Sequence, residues 1–348
     1  MKVNDQSPVT LAAPSLGSAL RVMIGHRGVQ AAVGLWIAGY AIVLWLAHGR
    51  LPFDRPAVAR VPFGLQMAVP TVVLIEIFVL IAVVILLTRK RVIPDMAARA
   101  PERRVALRET IFLLGYAALG QVGGWIVASV LGYRPFSFHI AGTVFDCTLP
   151  PTPTEVWVWA VYNFLVFAVA PYLYFRRRYS NTALNLRSTD RRNDAIVIFI
   201  VLAIESAFEL SLVNKSIFGL SPHQALLGVP LSFVIFLIGT VLPTMVLIYA
   251  ILLPRYLRLT GSAISASLLG GLTYAAMHIV EGWSAFDSPR NTLLSLIFVL
   301  FTYFGPGMFK SVLTLRTGNA WVHAISYHAI APHVIIDTPL VVKIFDIR

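Results

Sequence analysis

The chain has 348 residues, of which 57% are hydrophobic and 13% charged, and its formal net charge is +12. A charged share roughly half that of soluble domains makes lipid the expected solvent and excludes an ordinary water-soluble domain. The basic residues fall in short clusters between apolar runs, so the excess charge reads as loops meeting anionic headgroups and excludes a nucleic-acid partner.

Residues 1–28 carry Lys2, Arg21 and Arg27 and no long apolar run, and read as a cytoplasmic N-terminal segment. The run after Arg27 has no cleavage site and is expected to stay as an anchor. From residue 29 to 348 the sequence reads as one all-α membrane domain, a polytopic helical bundle. A span needs about 20 mostly apolar residues. Nine are predicted, with eight to ten as the range: 29–48, 67–88, 110–132, 155–175, 194–213, 225–253, 261–281, 291–313 and 318–336. Pro230 and Pro243 predict a kink or break in the sixth, and Pro332 interrupts the last.

Loop charge sets orientation. The loop at 89–108 has seven basic residues and that at 176–193 has six, whereas 133–154 has only Arg134. The two rich loops are expected on one side, the cytoplasmic one, with the N-terminus inside. The single cysteine, Cys147, falls in the poor loop and excludes an intrachain disulfide or a cysteine metal cluster.

Ionisable groups inside spans are costly and usually face the protein interior. Glu76 lies in span two, Glu205 and Glu209 in span five, His278 and Glu281 at the end of span seven, and His323, His328 and His333 in span nine. Glu205 and Glu209 are four apart and share a helix face, where two carboxylates would share a proton or hold a cation. At about 1.5 Å of rise per residue, Glu209, His278 and His333 lie roughly 22–26 Å from the inner span ends. Glu205 and His328 lie roughly 15–17 Å up, so carboxylates and imidazoles can meet at matching levels. Five residues turn about 140° on an α-helix, so the three span-nine histidines face three sides. At most two share a site unless Pro332 bends the chain, and His323 reads as the bystander. Gln121 and Asn163 read as interhelical hydrogen bonds, and Gly120, Gly123 and Gly124 as points of close packing. Glu76 reads as isolated, a counter-ion to an arginine or a participant in the chemistry.

Residues 190–340 contain motifs similar to those of the CPBP family, the CAAX-protease and bacteriocin-processing intramembrane proteins. Tyr274-Ala-Ala-Met-His278 resembles the family's Phe/Tyr-x-x-x-His helix. Arg316-Thr317-Gly318-Asn319-Ala320-Trp321 resembles the opening of its late helix, and His328-Ala329 matches its final histidine, with Pro332 at the family's asparagine position. Leu253-Pro254-Arg255 resembles the end of the family's Glu-Glu-x-x-x-Arg helix, but the motif positions hold Thr244, Met245 and Tyr249. The resemblance implies a helical bundle in a bacterial inner membrane and hydrolysis of a peptide bond at or in the membrane. On that reading Glu205, Glu209, His278 and His328 are the catalytic candidates, with Glu205 and Glu209 replacing the missing glutamates. His278, His328 and His333 are the candidate ligands of a divalent metal, zinc first. The partners expected are the lipid bilayer and a membrane-associated peptide or protein. Two alternatives stay open: a non-catalytic scaffold or binding relative that has lost the glutamate pair, and a proton-coupled transporter.

Overall fold

The computed structural model describes residues 16–53, 62–145 and 150–348, so Cys147 lies outside them. Among these residues the fold is all-helical, without strands. In chain order the helices are α1 (Leu16–Gly25), α2 (Arg27–Ala47), α3 (Phe63–Leu87), α4 (Arg103–Val130) and α5 (Ile140–Phe145). They continue as α6 (Pro153–Arg176), α7 (Arg191–Leu212), α8 (Pro222–Thr260), α9 (Ala263–Ala276), α10 (Pro289–Thr317), α11 (Ala320–Ile335) and α12 (Thr338–Ile344).

Seven of these, α2, α3, α4, α6, α7, α8 and α10, are long and apolar enough to cross a membrane, and α11 with α12, bent by 47°, makes an eighth. The protein is therefore a multi-pass helical bundle. The count differs from nine because α9, expected over 261–281, ends at Ala276 after 14 residues. The chain must turn there to reach α10, whose start is fixed by Ser288, accepting from the Asn291 amide at 3.2 Å, and by Pro289 in the first turn. His278 and Glu281 therefore lie beyond the helix, in the buried turn that follows.

Local chemistry sets the other boundaries. Thr152-Pro153 with Glu155 and Ser221-Pro222 with Gln224 form capping boxes that start α6 and α8. Gly261 (φ 66°) and Gly318 (φ 63°) end α8 and α10 in the left-handed region, which glycine adopts without strain.

Pro230 and Pro243 do not break α8, which runs unbroken for 39 residues. A proline ring clashes with the carbonyl four residues back and supplies no N–H. Widening to i→i+5 bonding removes the conflict and re-pairs the freed groups. Such π-wound stretches lie at Leu237–Val241 before Pro243, at Met245–Leu252 before Pro254 and at Phe164–Val169 before Pro171. A fourth, Ala324–Ile335, contains Pro332.

The core lies along α8, where every residue from Met245 to Leu252 is buried, with α6, α9, α10 and α11 around it. α2 and α4 expose Leu35, Trp45 and Leu119, as a lipid-facing layer should. Since lipid is as apolar as leucine, close packing must hold the helices together. Gly120, Gly123 and Gly124 provide it on α4: an added Cβ would come within 2.8 Å of Phe167 Cε1, 2.8 Å of Tyr162 Oη and 2.9 Å of Phe136 Cζ, respectively.

The two arginine-rich loops share one end of the bundle and clasp the α10–α11 hinge. Arg91 donates to Asp194 Oδ1 at 2.5 Å, Thr189 Oγ1 at 3.0 Å and the Thr317 carbonyl at 2.6 Å. Arg99 donates to Asn185 Oδ1 and the Gly318 carbonyl, both at 2.7 Å, and its burial together with Arg91's charge lowers its pKa from the usual arginine value. Asn319 caps α11, accepting from the Trp321 amide at 3.1 Å, and donates to Asp194 Oδ2 at 2.9 Å. The Arg-Thr-Gly-Asn stretch is thus a helix stop, a left-handed turn and a helix start, bolted to both loops. At the same end Arg255 binds Glu109 at 2.6 Å, and Tyr179 donates to Glu109 at 2.8 Å. Burial and then the Glu109 carboxylate push that phenol up to about 12.

Candidate metal centre

Three histidines from two segments converge in the bundle: His139, His328 and His333, all buried, with one ligand atom from each lying within 4.8 Å of the others. His328 and His333 sit on the π-wound part of α11. The α-helical geometry that predicts three divergent faces does not apply there. With i→i+5 bonding a residue five on comes round above its predecessor, so the spacing of five forms one row. His323 and His328 rings are 6.4 Å apart and His328 and His333 rings 5.3 Å. His323 stands in the row but outside the cluster, its Nδ1 3.2 Å from Thr314 Oγ1 and its ring 4.2 Å from Tyr249. Pro332 accounts for the winding: it removes the amide that an α-helix would aim at the His328 carbonyl and crowds that oxygen with its ring.

His139 comes from the loop between α4 and α6, which folds into the bundle instead of staying outside. Phe136, Phe138, His139 and Ile140 are at most 3% exposed. Irregular backbone at such depth needs its carbonyls satisfied. Gln121 and Trp125 donate to the Phe136 carbonyl at 2.5 and 2.9 Å. Asn163 Nδ2 lies within 3.1 Å of the carbonyls of Ser137, Phe138 and Gly239. The two amides, read from the sequence as interhelical bonds, hold this loop. No periodicity marks His139 in the sequence; the pair Gln121 and Asn163, polar and in spans beside the loop, was the available signal.

Outer partners orient the imidazoles. His333 Nδ1 is 2.8 Å from Asp337 Oδ2, one turn on, which leaves Nε2 as the free lone pair. That Nε2 is buried with no hydrogen-bond partner among the described residues. His328 Nδ1 faces Thr244 Oγ1 at 3.4 Å; this hydroxyl donates to the Thr240 or Val241 carbonyl and so accepts from the ring. His328 Nε2 is then also a lone pair, and it meets His139 Nε2 at 2.9 Å. Two nitrogens this close need a shared proton or a cation between them. Three buried imidazoles with carboxylate and hydroxyl outer partners suit a borderline divalent metal such as zinc.

The remaining predicted residues fall around this cluster. The His278 ring is 4.3 Å from His139 and stacks on Tyr303 at 3.8 Å, with Nδ1 donating to the Tyr274 carbonyl at 2.7 Å. It is a neighbour of the three-histidine group. Glu281, 4% exposed, packs its carboxylate against Gly142, three residues beyond His139, and lies within electrostatic reach of Tyr274. Glu205 bonds to Glu76 across α7 and α3 and faces Lys310 of α10, so Glu76 is paired with a carboxyl and not with an arginine. Glu209 is half-buried at the start of the π-wound end of α7. Lys310, which went unremarked in the sequence, is 2% exposed, with Nζ 3.8 Å from the Tyr274 ring centroid.

Compared with protein-family models, curated proteins and solved structures, the chain matches none of them.

Proposed function

We propose that this protein is a membrane-embedded, metal-dependent hydrolase of the CPBP kind, which cleaves a peptide bond at or in the bilayer and uses zinc. The observation that carries the reading is the cluster of His139, His328 and His333, buried among apolar helices and oriented by Asp337 and Thr244. The motifs around His278 and His328 direct it toward peptide substrates. A zinc ion held there would polarise the scissile carbonyl and ease deprotonation of water.

The chain's own part is to exclude bulk water, hold the imidazoles and manage protons. Asp337 is engaged in orienting His333, so Glu281, packed against Gly142 and within electrostatic reach of Tyr274, is assigned the role of proton acceptor. His278, with Nδ1–H fixed on the Tyr274 carbonyl, keeps Nε2 as an acceptor beside His139. Glu205, with Glu76 and Lys310, stands behind Tyr274 as a reserve for proton movement. The arginine-rich loops are assigned to the cytoplasmic side of a bacterial inner membrane, with the N-terminus inside.

The test is cleavage of a membrane-tethered reporter peptide by the zinc-loaded protein in liposomes. His328→Ala and Glu281→Gln should each lose cleavage while remaining membrane-inserted. Full activity in either variant overturns the assignment. One observation favours a second reading, a non-catalytic binding protein: Thr244 takes a position where the family has a glutamate, and its hydroxyl serves only to orient His328. Bound zinc with no cleavage across a panel of tethered peptides would select it.

A further inference from the structure

We infer that Tyr274 is itself a ligand of the metal, so that the resting centre is a three-histidine, one-phenolate set. The inference rests on the proposed metal centre and adds a donor of a different chemical class.

Around a tetrahedral zinc with bonds of 2.0–2.1 Å, two donor atoms lie about 3.3 Å apart. Tyr274 Oη is 3.1 Å from His139 Nε2 and 3.4 Å from His328 Nε2, and those nitrogens are 2.9 Å from each other. The three atoms form a triangle with the edges of a coordination polyhedron. The remaining corner is assigned to His333, whose ligand atom lies within 4.8 Å of those of His139 and His328 and whose buried Nε2 has no hydrogen-bond partner among the described residues; it would move inward to close the set.

The phenol is held in place from both sides. Lys310 Nζ packs on the ring face at 3.8 Å. Gly271 and Gly307 let α9 and α10 meet backbone to backbone: an added Cβ on Gly307 would lie 3.0 Å from the Gly271 Cα and would collide with the Tyr274 Cβ. Oη therefore reaches the imidazoles because of a helix crossing that admits no side chain. As the metal–oxygen bond forms, the phenol O–H bond breaks and its proton leaves to buffer. A phenolate beside three imidazoles suits Zn(II), Cu(II) or Fe(III) and disfavours soft Cu(I). Hydrolysis at such a centre would use a fifth coordination position.

The experiment uses the full chain in detergent, titrated with Cu(II) as probe. Wild type is expected to bind one ion and to develop a phenolate-to-copper charge-transfer band, with tyrosinate modes in the resonance Raman spectrum. Tyr274→Phe should still bind copper, with nitrogen hyperfine structure, about tenfold or more weakly and without the band. Binding by wild type with no such band means that Tyr274 only hydrogen-bonds to the histidines, and the inference fails while the metal centre stands. Failure of wild type to bind copper or zinc removes the centre itself. The wild-type spectrum decides even if the phenylalanine variant misfolds.

Discussion

At the residue scale, the cluster depends on which ring nitrogen carries a lone pair, and neighbours fix that choice. Asp337 does it for His333. Loss of such an outer partner typically weakens metal binding roughly 10–100-fold. Asp337→Asn is therefore expected to lower zinc affinity by that factor with the fold intact, as measured by competition with a chelating dye. Unchanged affinity would mean that His333 is not a ligand. Thr244 shows how far a single letter can be read. The sequence places a hydroxyl where the CPBP motif has a carboxylate, but only the fold shows that this hydroxyl faces His328. His139 shows the opposite limit: no local pattern distinguishes it, because its role is created by residues more than 180 positions away, His328 and His333.

At the element scale, α11 decides the geometry. Its π winding turns a spacing of five residues into a row, and Pro332 imposes that winding by denying the His328 carbonyl its i→i+4 donor. Pro332→Ala should let the segment relax toward α-helix, turning His333 about 140° from His328. Zinc affinity should then fall at least as far as in Asp337→Asn, and wild-type affinity would contradict the role given to Pro332. The α9–α10 crossing is the second determinant. Gly307→Ala would push Tyr274 from its place, because the new Cβ meets the tyrosine's own Cβ. The expected result is a copper complex without the charge-transfer band.

At the scale of the whole molecule, the clasp ties the chain's halves together, and a metal bound by His139, His328 and His333 would add another tie. Arg91 and Asp194 have side chains only 2% and 6% exposed, and the arginine also holds the Thr317 carbonyl. Removing one partner of a buried pair costs about 3 kcal/mol. Arg91→Ala should lower the thermal midpoint in detergent, whereas Arg89→Ala, in the same loop and exposed, should not. Metal binding should raise the same midpoint. A ligand at 100 times its dissociation constant contributes about 2.7 kcal/mol to the folded state. EDTA should therefore lower the midpoint of wild type and leave that of a His139→Ala, His328→Ala double variant unmoved.

The sequence by itself determined the solvent, most of the spans, the capped starts of α6 and α8 and the glycine stop before α11. These follow from composition and from neighbours within four residues, where hydrophobicity, proline and capping chemistry act directly. Its orientation rule also anticipated that the two arginine-rich loops lie together. The tertiary structure decided the rest: the inward fold of the 133–139 loop, the end of α9 at Ala276, the pairing of Glu205 with Glu76 and the meeting of three imidazoles. Each of these depends on contacts between distant segments, or on a helix period that proline alters. A pattern read at 3.6 residues per turn could not show that histidines five apart stand in line.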